Sequence, residues 1–371
     1  MPTADLQTLR ADQVGSLLRP QSLLEARRAH HDGTMADDEL RRCEDEAIEA
    51  AVRLQEEVGF EVVTDGEFRR ASWNRDFLLK FANVTLGPGR ISLGDNGGGT
   101  GRSPTALAVT GRIGRPEPIF VDHFRFLKSI ARVTPKITIP SPTLLHFRGG
   151  RDSIDRSAYP DLDTFFADVA AVYRAEIRDL AAAGCRYLQI DDVNFAYLCD
   201  PRVAPQVRAM GEDPAQLPHT YAKLINAAIS ERPADMTVGL HVCRGNTPAG
   251  WAEGGYEPVA EVLFNEIDIT RYFLEYDTPR AGGFEPLRFL PKGKVAVLGL
   301  VSTKTSELET KDGLKRRIDE AARYAALDQL ALSPQCGFAS GVGLRGEARF
   351  GEAAERAKLA LVVDVAAEVW H

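Results

Sequence analysis

Short apolar runs alternate with longer amphipathic segments along most of this chain. The apolar runs are of strand length, and the segments between them repeat their apolar positions with helical spacing. Strands that alternate with helices indicate parallel βαβ units, and about eight such units favour an α/β fold of the (β/α)₈ TIM-barrel type. The predicted strands cover residues 14–17, 61–64, 136–139, 186–190, 236–242, 272–275, 294–300 and 329–332.

The main predicted helices follow these strands. A doubly wound open sheet is the alternative fold, but it usually shows a glycine fingerprint after the first strand, and here that strand reads only VGSLLRP. No internal repeat or linker divides the sequence, so residues 1–371 are predicted to form one catalytic barrel domain. The predicted helices cover residues 37–57, 163–183, 218–230, 257–263, 312–324 and 353–369.

One stretch does not fit the alternation. Residues 81–126 contain a glycine-rich run, LGPGRISLGDNGGGTGRSP, followed by the alternating sequence ALAVTGRI. Alternation of apolar and polar residues is typical of a half-buried strand. We therefore predict an inserted loop with a hairpin over the mouth of the barrel, which also accounts for a length of 371 residues where such barrels have about 250.

Composition excludes several classes of protein. The formal charge of −8 argues against a nucleic-acid partner, which normally leaves a basic surface. No apolar run reaches the roughly 18–20 residues that a membrane helix needs. The N-terminus lacks a basic end followed by an apolar stretch, so no secretory signal is predicted and the expected compartment is the cytoplasm. The five cysteines are too few and too scattered for a disulfide scaffold.

Polar residues concentrate where the predicted strands end. In a barrel these ends meet at one rim, which carries the chemistry. His241 and Cys243 are two residues apart in an extended segment, so both side chains point the same way. Glu275 and Cys336 close two further strands. One imidazole, two thiolates and one carboxylate suit tetrahedral Zn²⁺, and we predict one zinc ion per chain at these four residues.

The predicted zinc site is catalytic in character. Structural zinc sites usually take close pairs such as CxxC, whereas these ligands come from separate strands. Three anionic ligands leave the complex with a net negative charge, which suits a metal that holds a thiolate and leaves it nucleophilic. The pattern therefore favours alkyl transfer to a thiol. Cys43, Cys185 and Cys199 are interpreted as ordinary packed residues.

The sequence resembles the cobalamin-independent methionine synthases, most closely their catalytic C-terminal barrel and their short, single-barrel relatives. The resemblance runs from about residue 10 to the C-terminus. It rests on VGSLLRP, VTDGEFRR, LQIDD, HVCRGN, FLEYD, LGLVSTKT and LALSPQCGF, which have counterparts there in the same order.

The resemblance implies the same four zinc ligands and a site for homocysteine. Val14 and Ser16 would hold the polar end of the amino acid, while Glu67 and Asp191 would bind its ammonium group. Asp192 stands where the family usually has Glu, and it is counted with the substrate-binding residues. Two carboxylates facing one ammonium are a sensible charge pairing.

Two departures concern the methyl donor, for which the resemblance implies a 5-methyltetrahydrofolate. Where the family has a proton-transferring histidine after the seventh strand, this chain has Lys304, which is predicted to be catalytic together with Asp191. The alternative is that Lys304 pairs with Glu307 or with an acidic substrate. The tryptophan that stacks on folate in the family corresponds to about Phe147.

The leading hypothesis is a methyltransferase that converts homocysteine to methionine, with a small-molecule thiol and a methyl donor as its partners. A second hypothesis keeps zinc but changes the thiol or the donor, for example to methylcobalamin, a methylated thioether or an epoxide. A third is a metal-free lyase of the uroporphyrinogen decarboxylase type, which would need rim arginines for the substrate carboxylates. The candidates for that role are Arg69, Arg70, Arg75, Arg148 and Arg244.

Overall fold

The computed structural model describes residues 5–93, 105–245, 251–339 and 350–370. A curled sheet of seven parallel strands forms its centre, in the order β1-β4-β5-β6-β7-β8-β9. The α/β barrel architecture predicted from the alternation of strands and helices is confirmed. The strands of this sheet are β1 (Val62–Val63), β4 (Thr134–Pro140), β5 (Tyr187–Asp192), β6 (Thr237–Val242), β7 (Arg271–Glu275), β8 (Val295–Val301) and β9 (Leu330–Pro334).

Helices follow the strands on the outside of the sheet. Their apolar faces, such as Ile48 and Val52 of α2, are buried in one large core shared with the outer faces of the strands. None of the described helices is long and apolar enough to cross a bilayer. The helices are α1 (Gln21–His31), α2 (Asp37–Glu57), α3 (Arg75–Leu78), α4 (Val121–Ile130), α5 (Leu162–Ala182), α6 (Asn194–Leu198), α7 (Ala204–Ala209), α8 (Leu217–Ile229), α9 (Glu257–Asn265), α10 (Lys311–Ala321) and α11 (Glu352–Trp370).

The prediction of a regular strand at residues 14–17 is wrong, because this segment is extended but forms no strand ladder. This segment closes the ring between β9 and β1, but only Ala11 forms a bridge, to Leu332. Gly15 has a φ of +147°, and side chains take up the backbone groups that a strand ladder would use. Gln189 Nε2 donates to the Val14 carbonyl at 2.7 Å, and Thr64 Oγ1 donates to that of Gly15 at 2.7 Å. Among the described residues, the barrel therefore has seven paired strands and one irregular extended segment.

The insertion contains the predicted hairpin. Strand β2 (Ala82–Pro88) pairs antiparallel with β3 (Thr105–Gly114), and α4 follows within the same stretch. Residues 94–104, which include most of the glycine-rich run, lie outside the described residues. The hairpin packs beside the rim: Asp155 N donates to Val109 O at 2.8 Å, and Arg90 N donates to Arg148 O at 2.7 Å. It therefore supports the loop that follows β4.

Alternate residues of β4 to β7 face the interior of the barrel, because successive side chains of a strand point to opposite faces. At the N-terminal end of the barrel the interior holds Asp12, Lys136, Tyr187 and Arg271, all buried. Towards the C-terminal end follow Gln189, Asp191 and His241. The parallel register brings Asp191 beside His241 and His241 beside Phe273. The strand ends thus converge on one rim, as a barrel requires.

Candidate functional site

The four predicted metal ligands come together at this rim: His241, Cys243, Glu275 and Cys336. One ligand atom of each lies within 4.8 Å of those of the others. His241 belongs to β6 and Cys243 follows it directly, Glu275 ends β7, and Cys336 follows β9. Sequence positions up to 95 residues apart therefore converge because parallel strands end at the same edge.

The donor atoms fit a tetrahedral metal ion. The two Sγ atoms of Cys243 and Cys336 are 3.6 Å apart. Two thiolates at about 2.3 Å from one zinc ion, at a tetrahedral angle, would be about 3.8 Å apart. Nε2 of His241 is buried and has no hydrogen-bond partner among the described residues. A metal ion would supply the contact that this nitrogen lacks.

The other ring nitrogen of His241 faces Asp191. Nδ1 lies 3.3 Å from Asp191 Oδ1, which also accepts a hydrogen bond from Gln189 Nε2 at 2.7 Å. A carboxylate on the second nitrogen fixes the orientation of a metal-binding imidazole. Burial disfavours the charged ring, but the contacts with Asp191 and Cys336 outweigh burial and raise the pKa of His241 to about 10. Without a metal this histidine is therefore charged at neutral pH.

Glu275 is fully buried, and both of its oxygens are held. Oε1 accepts from the Arg244 backbone N–H at 2.7 Å. Oε2 accepts from Arg280 Nη2 at 2.9 Å and from Gln335 Nε2 at 3.3 Å. These donors leave further lone pairs on the carboxylate, so Glu275 is oriented while it can still bind a metal. Neither Arg280 nor Gln335 was predicted, although Gln335 precedes a predicted ligand directly.

Glu67 and Asp191 lie near one another on the same rim. Glu67 follows β1 in a tight turn in which both Gly66 and Glu67 have positive φ, +63° and +60°. Its Oε1 accepts from Thr138 Oγ1 at 2.9 Å and lies 3.5 Å from Arg70 Nη1. Burial, and then the charge of Asp191, raise the pKa of Glu67 although Arg70 opposes the shift. The two carboxylates are thus close enough for the charge of one to act on the other.

The segment with Val14 and Ser16 connects this pair to the metal ligands. The Ser16 carbonyl accepts from Phe338 N at 2.9 Å, two residues after Cys336. A Cβ on Gly337 would lie 1.9 Å from Ser16 Oγ, so only glycine fits between them. Ser16 and Cys336 therefore belong to the same part of the rim.

Lys304 lies beside Glu275 but forms its closer ion pair with Asp277. Its Nζ is 3.1 Å from Asp277 Oδ2 and 3.8 Å from Glu275 Oε2. Asp277 also accepts from Ser302 Oγ at 3.0 Å. The structure thus brings Lys304 to the metal-binding group but pairs it with Asp277, where the sequence-based alternative was Glu307.

Two predicted substrate-binding residues are not brought to this group. Asp192, fully buried, accepts from the backbone N–H groups of Asn194 and Phe195 at 2.6 and 3.0 Å and from Thr143 Oγ1 at 2.5 Å, so it binds the first turn of α6. Its neighbour Asp191 faces the barrel interior, and adjacent strand residues face opposite ways. Phe147 is fully buried against Tyr197 and Tyr221, with ring centroids 6.1 and 6.3 Å away. It offers no open face for stacking.

Most of the rim arginines have partners within the protein. Arg69 pairs with Glu44 at 3.3 Å, and Arg70 donates to Thr138 Oγ1 at 2.8 Å. Arg148 donates to Tyr197 OH at 3.0 Å, and the Arg244 guanidinium lies 4.1 Å from the centroid of the Tyr256 ring. Such contacts do not favour a site for a substrate with many carboxylates.

Comparison with known proteins agrees with this geometry. Residues 9–368 match the family model described as the catalytic domain of cobalamin-independent synthase. The chain belongs to this family.

Among its relatives is the uncharacterized protein YxjG of Bacillus subtilis, 44% identical over 97% of this chain and 94% of that protein. Methionine synthase of Pyrococcus abyssi is 25% identical over 90% of this chain and 87% of its own length. A structural-genomics target from Listeria monocytogenes aligns with a TM-score of 0.77 at 35% identity, and the alignment covers 100% of both chains. A B12-independent methionine synthase from Shewanella, solved with selenomethionine, gives a TM-score of 0.73 at 19% identity over 98% of both chains.

The resemblance predicted from the sequence motifs is thus confirmed. Membership of the cobalamin-independent synthase family identifies the chain as a methionine synthase-like methyltransferase. It therefore disfavours the lyase hypothesis.

Proposed function

We propose that this protein is a zinc-dependent methyltransferase that transfers a methyl group to the thiol of homocysteine and yields methionine. The observation that carries the proposal is the convergence of His241, Cys243, Glu275 and Cys336 within 4.8 Å. Zinc bound there would hold the acceptor sulfur as a nucleophilic thiolate. The protein's own residues must orient the acceptor, position the donor and supply a proton to the leaving group.

The acceptor would be an amino acid with a thiol side chain. Glu67 and Asp191 offer two carboxylates to one ammonium group, and the charge of Asp191 disfavours the ionised form of Glu67 until a cation binds. Val14 and Ser16 supply backbone and hydroxyl groups beside the Cys336 turn. A thiol with a sulfonate in place of the ammonium would meet two negative charges, so this pair selects against it.

Lys304 is the proposed proton carrier for the departing group of the donor. An amine leaves readily only when it is protonated, so an ammonium near the reacting sulfur would serve as a general acid. Lys304 Nζ lies 3.8 Å from a metal-ligand oxygen, and Asp277 and Ser302 hold it in place. Asp191 is proposed to act on catalysis through its contact with His241.

A second candidate keeps the acceptor and changes the donor. The buried position of Phe147 favours it, because this ring gives no stacking face to a pterin. The donors to compare are 5-methyltetrahydrofolate, methylcobalamin and small methylated thioethers.

The test has two parts. Protein reconstituted with Zn²⁺ is first analysed for metal, and about one zinc per chain is expected. It is then incubated with homocysteine and each methyl-labelled donor in turn, and labelled methionine is measured. Substitution of 2-mercaptoethanesulfonate for homocysteine is expected to abolish product. A metal-replete sample without zinc, or no product from homocysteine with any donor, would contradict the proposal.

A further inference from the structure

The buried carboxylate of Glu275 is held by an arginine that belongs to the loop after the same strand. Arg280 Nη2 donates to Glu275 Oε2 at 2.9 Å, the shorter of the two side-chain hydrogen bonds to this oxygen. Lys304 approaches the same oxygen only to 3.8 Å. Arg280 is therefore, among the described residues, the main side-chain donor that orients the Glu275 carboxylate towards the other three ligands.

Arg280 is itself confined between two groups. Its side chain is 10% exposed, and Asp277 Oδ1 lies 3.6 Å from Nη2. The guanidinium carbon lies 5.2 Å from the centroid of the Trp251 ring. A guanidinium near the face of an indole gains a favourable cation–π contact, and it also loses the freedom to leave the carboxylate.

Trp251 is fixed in turn by the loop that follows β5. Arg202 Nη2 donates to the Trp251 carbonyl at 3.1 Å and to Asp200 Oδ2 at 2.6 Å. Asp200 also accepts from Glu253 N at 2.9 Å. These bonds hold the backbone of residues 251–253 in one place, so the indole has a defined position against Arg280.

Glycines allow this segment to pack tightly on its neighbours. A Cβ on Gly254 would lie 2.6 Å from the Cys199 carbonyl oxygen, and one on Gly282 would lie 2.9 Å from the Gly255 Cα. Gly282 ends the short helix that carries Arg280 and has a φ of +72°. The described parts of the loops after β5, β6 and β7 thus form one packed unit behind Glu275.

We propose that Trp251 is a positioning residue for the metal centre, acting through Arg280 on Glu275. This inference rests on the proposed function, since it requires that the four residues bind a metal. Partners of metal ligands typically change metal affinity by about 10- to 100-fold when they are removed. Loss of the indole would let the guanidinium leave Oε2, and Glu275 would then be held less well for the metal.

The experiment measures zinc affinity by competition with a chromophoric chelator. The ligand-field spectrum of the Co²⁺-substituted protein serves as a second readout that is independent of activity. Trp251→Leu and Arg280→Gln are each expected to weaken zinc binding about 10- to 100-fold. Trp251→Phe keeps an aromatic face and is expected to retain most of the affinity. The double variant is expected to bind zinc no more weakly than Arg280→Gln alone, because the indole acts through the guanidinium.

Arg288→Gln is the matched control. Arg288 lies on the next short helix, at the surface, where it pairs with Glu257 and packs on Phe289 at 4.2 Å. The zinc affinity and the Co²⁺ spectrum of the Arg288→Gln variant are expected to match those of the unmodified protein. Unchanged affinity in Trp251→Leu, or additive losses in the double variant, would overturn the inference and leave the proposed function intact. An unmodified protein that binds no zinc would overturn both.

Discussion

Two buried clusters of charged and polar residues lie inside the same barrel, and they differ in how completely their groups are paired. At the N-terminal end, Asp12 accepts from Lys136 Nζ at 2.8 Å and from Tyr187 OH at 2.6 Å. Arg271 donates to Tyr187 OH at 3.1 Å and to the Leu6 carbonyl at 2.7 Å. This cluster has its own cations, so it is complete as it stands.

The cluster at the C-terminal rim shares β5 and β7 with the first cluster, but its groups are paired less completely. Two thiols, a carboxylate and an imidazole face one another, and His241 Nε2 has no partner in the described part of the chain. Buried polar groups are normally paired, so an unpartnered nitrogen where four candidate ligands of three chemical types meet favours a metal site. Burial of charge alone therefore does not indicate function, whereas an unpartnered nitrogen within a group of four ligands does.

The largest expected effect lies at the C-terminal rim. Cys336→Ala removes one of two thiolates, and the other three ligands do not form a comparable site. We expect loss of stoichiometric zinc and of methyl transfer, measured by elemental analysis and by product formation. Cys199→Ala is the matched control, because Cys199 is also buried but donates only to the Phe195 carbonyl. Equal zinc content in the two variants would contradict the ligand assignment.

A substitution in the N-terminal cluster is expected to lower the stability of the fold and to leave zinc binding unchanged. Lys136→Met leaves the fully buried Asp12 short of its closest cation, and breaking a buried pair in this way costs about 3–5 kcal/mol of unfolding free energy. The measurement is denaturant unfolding monitored by circular dichroism. The folded fraction should keep its zinc.

Lys223→Met is the control for that experiment, since Lys223 is exposed on α8 and should tolerate the change. Zinc loss in a stably folded Lys136→Met protein would show that the two clusters are not independent.

Zinc binding at the rim should depend on pH. The contact with Cys336, and then burial, raise the pKa of Cys243. Burial opposes a shift at His241, but Asp191 and Cys336 raise the pKa of that ring to about 10. Both groups therefore carry protons near neutral pH without metal, and zinc must displace them. Affinity should rise with pH by about tenfold per unit for each proton released.

Competition with a chelator between about pH 6 and pH 8 measures this slope, and calorimetry in buffers of different ionisation enthalpy counts the protons. A flat affinity profile would mean that the ligands are already deprotonated in the free protein.

Local spacing made much of this site predictable from the sequence. His241 and Cys243 share a face because strand side chains alternate, and Glu275 and Cys336 meet them because parallel strands end at one rim. These are properties of backbone geometry, so they can be derived without knowledge of packing. Whether zinc occupies the site stays a prediction, as do the single-domain organisation and the roles assigned to Lys304 and Asp191.

The remaining features depend on contacts between distant segments. Residues 14–17 carry a strand-like pattern, yet Gln189 and Thr64 take their carbonyls, so no ladder forms. Phe147 is buried because Tyr197 and Tyr221 surround it. The sequence near Glu275 gives no sign that Arg280 turns back onto it. Such placements follow from tertiary packing, which overrides local pattern.

The smallest expected effects concern Asp191 and Asp192, neighbours whose side chains point to opposite faces of β5. Asp191→Ala removes the partner of His241 Nδ1 and should weaken zinc binding about tenfold, with little change in stability. Asp192→Ala leaves the buried donors of Asn194, Phe195 and Thr143 without their acceptor and should lower the unfolding free energy by about 1–3 kcal/mol, with zinc affinity retained. Chelator competition and denaturant unfolding on both variants measure the two quantities.

Each variant is the control for the other, because both remove one buried carboxylate at the same strand end. If Asp192→Ala lost zinc and Asp191→Ala did not, the strand would present its carboxylates the other way round. Asp192 would then be the residue that supports the metal ligands.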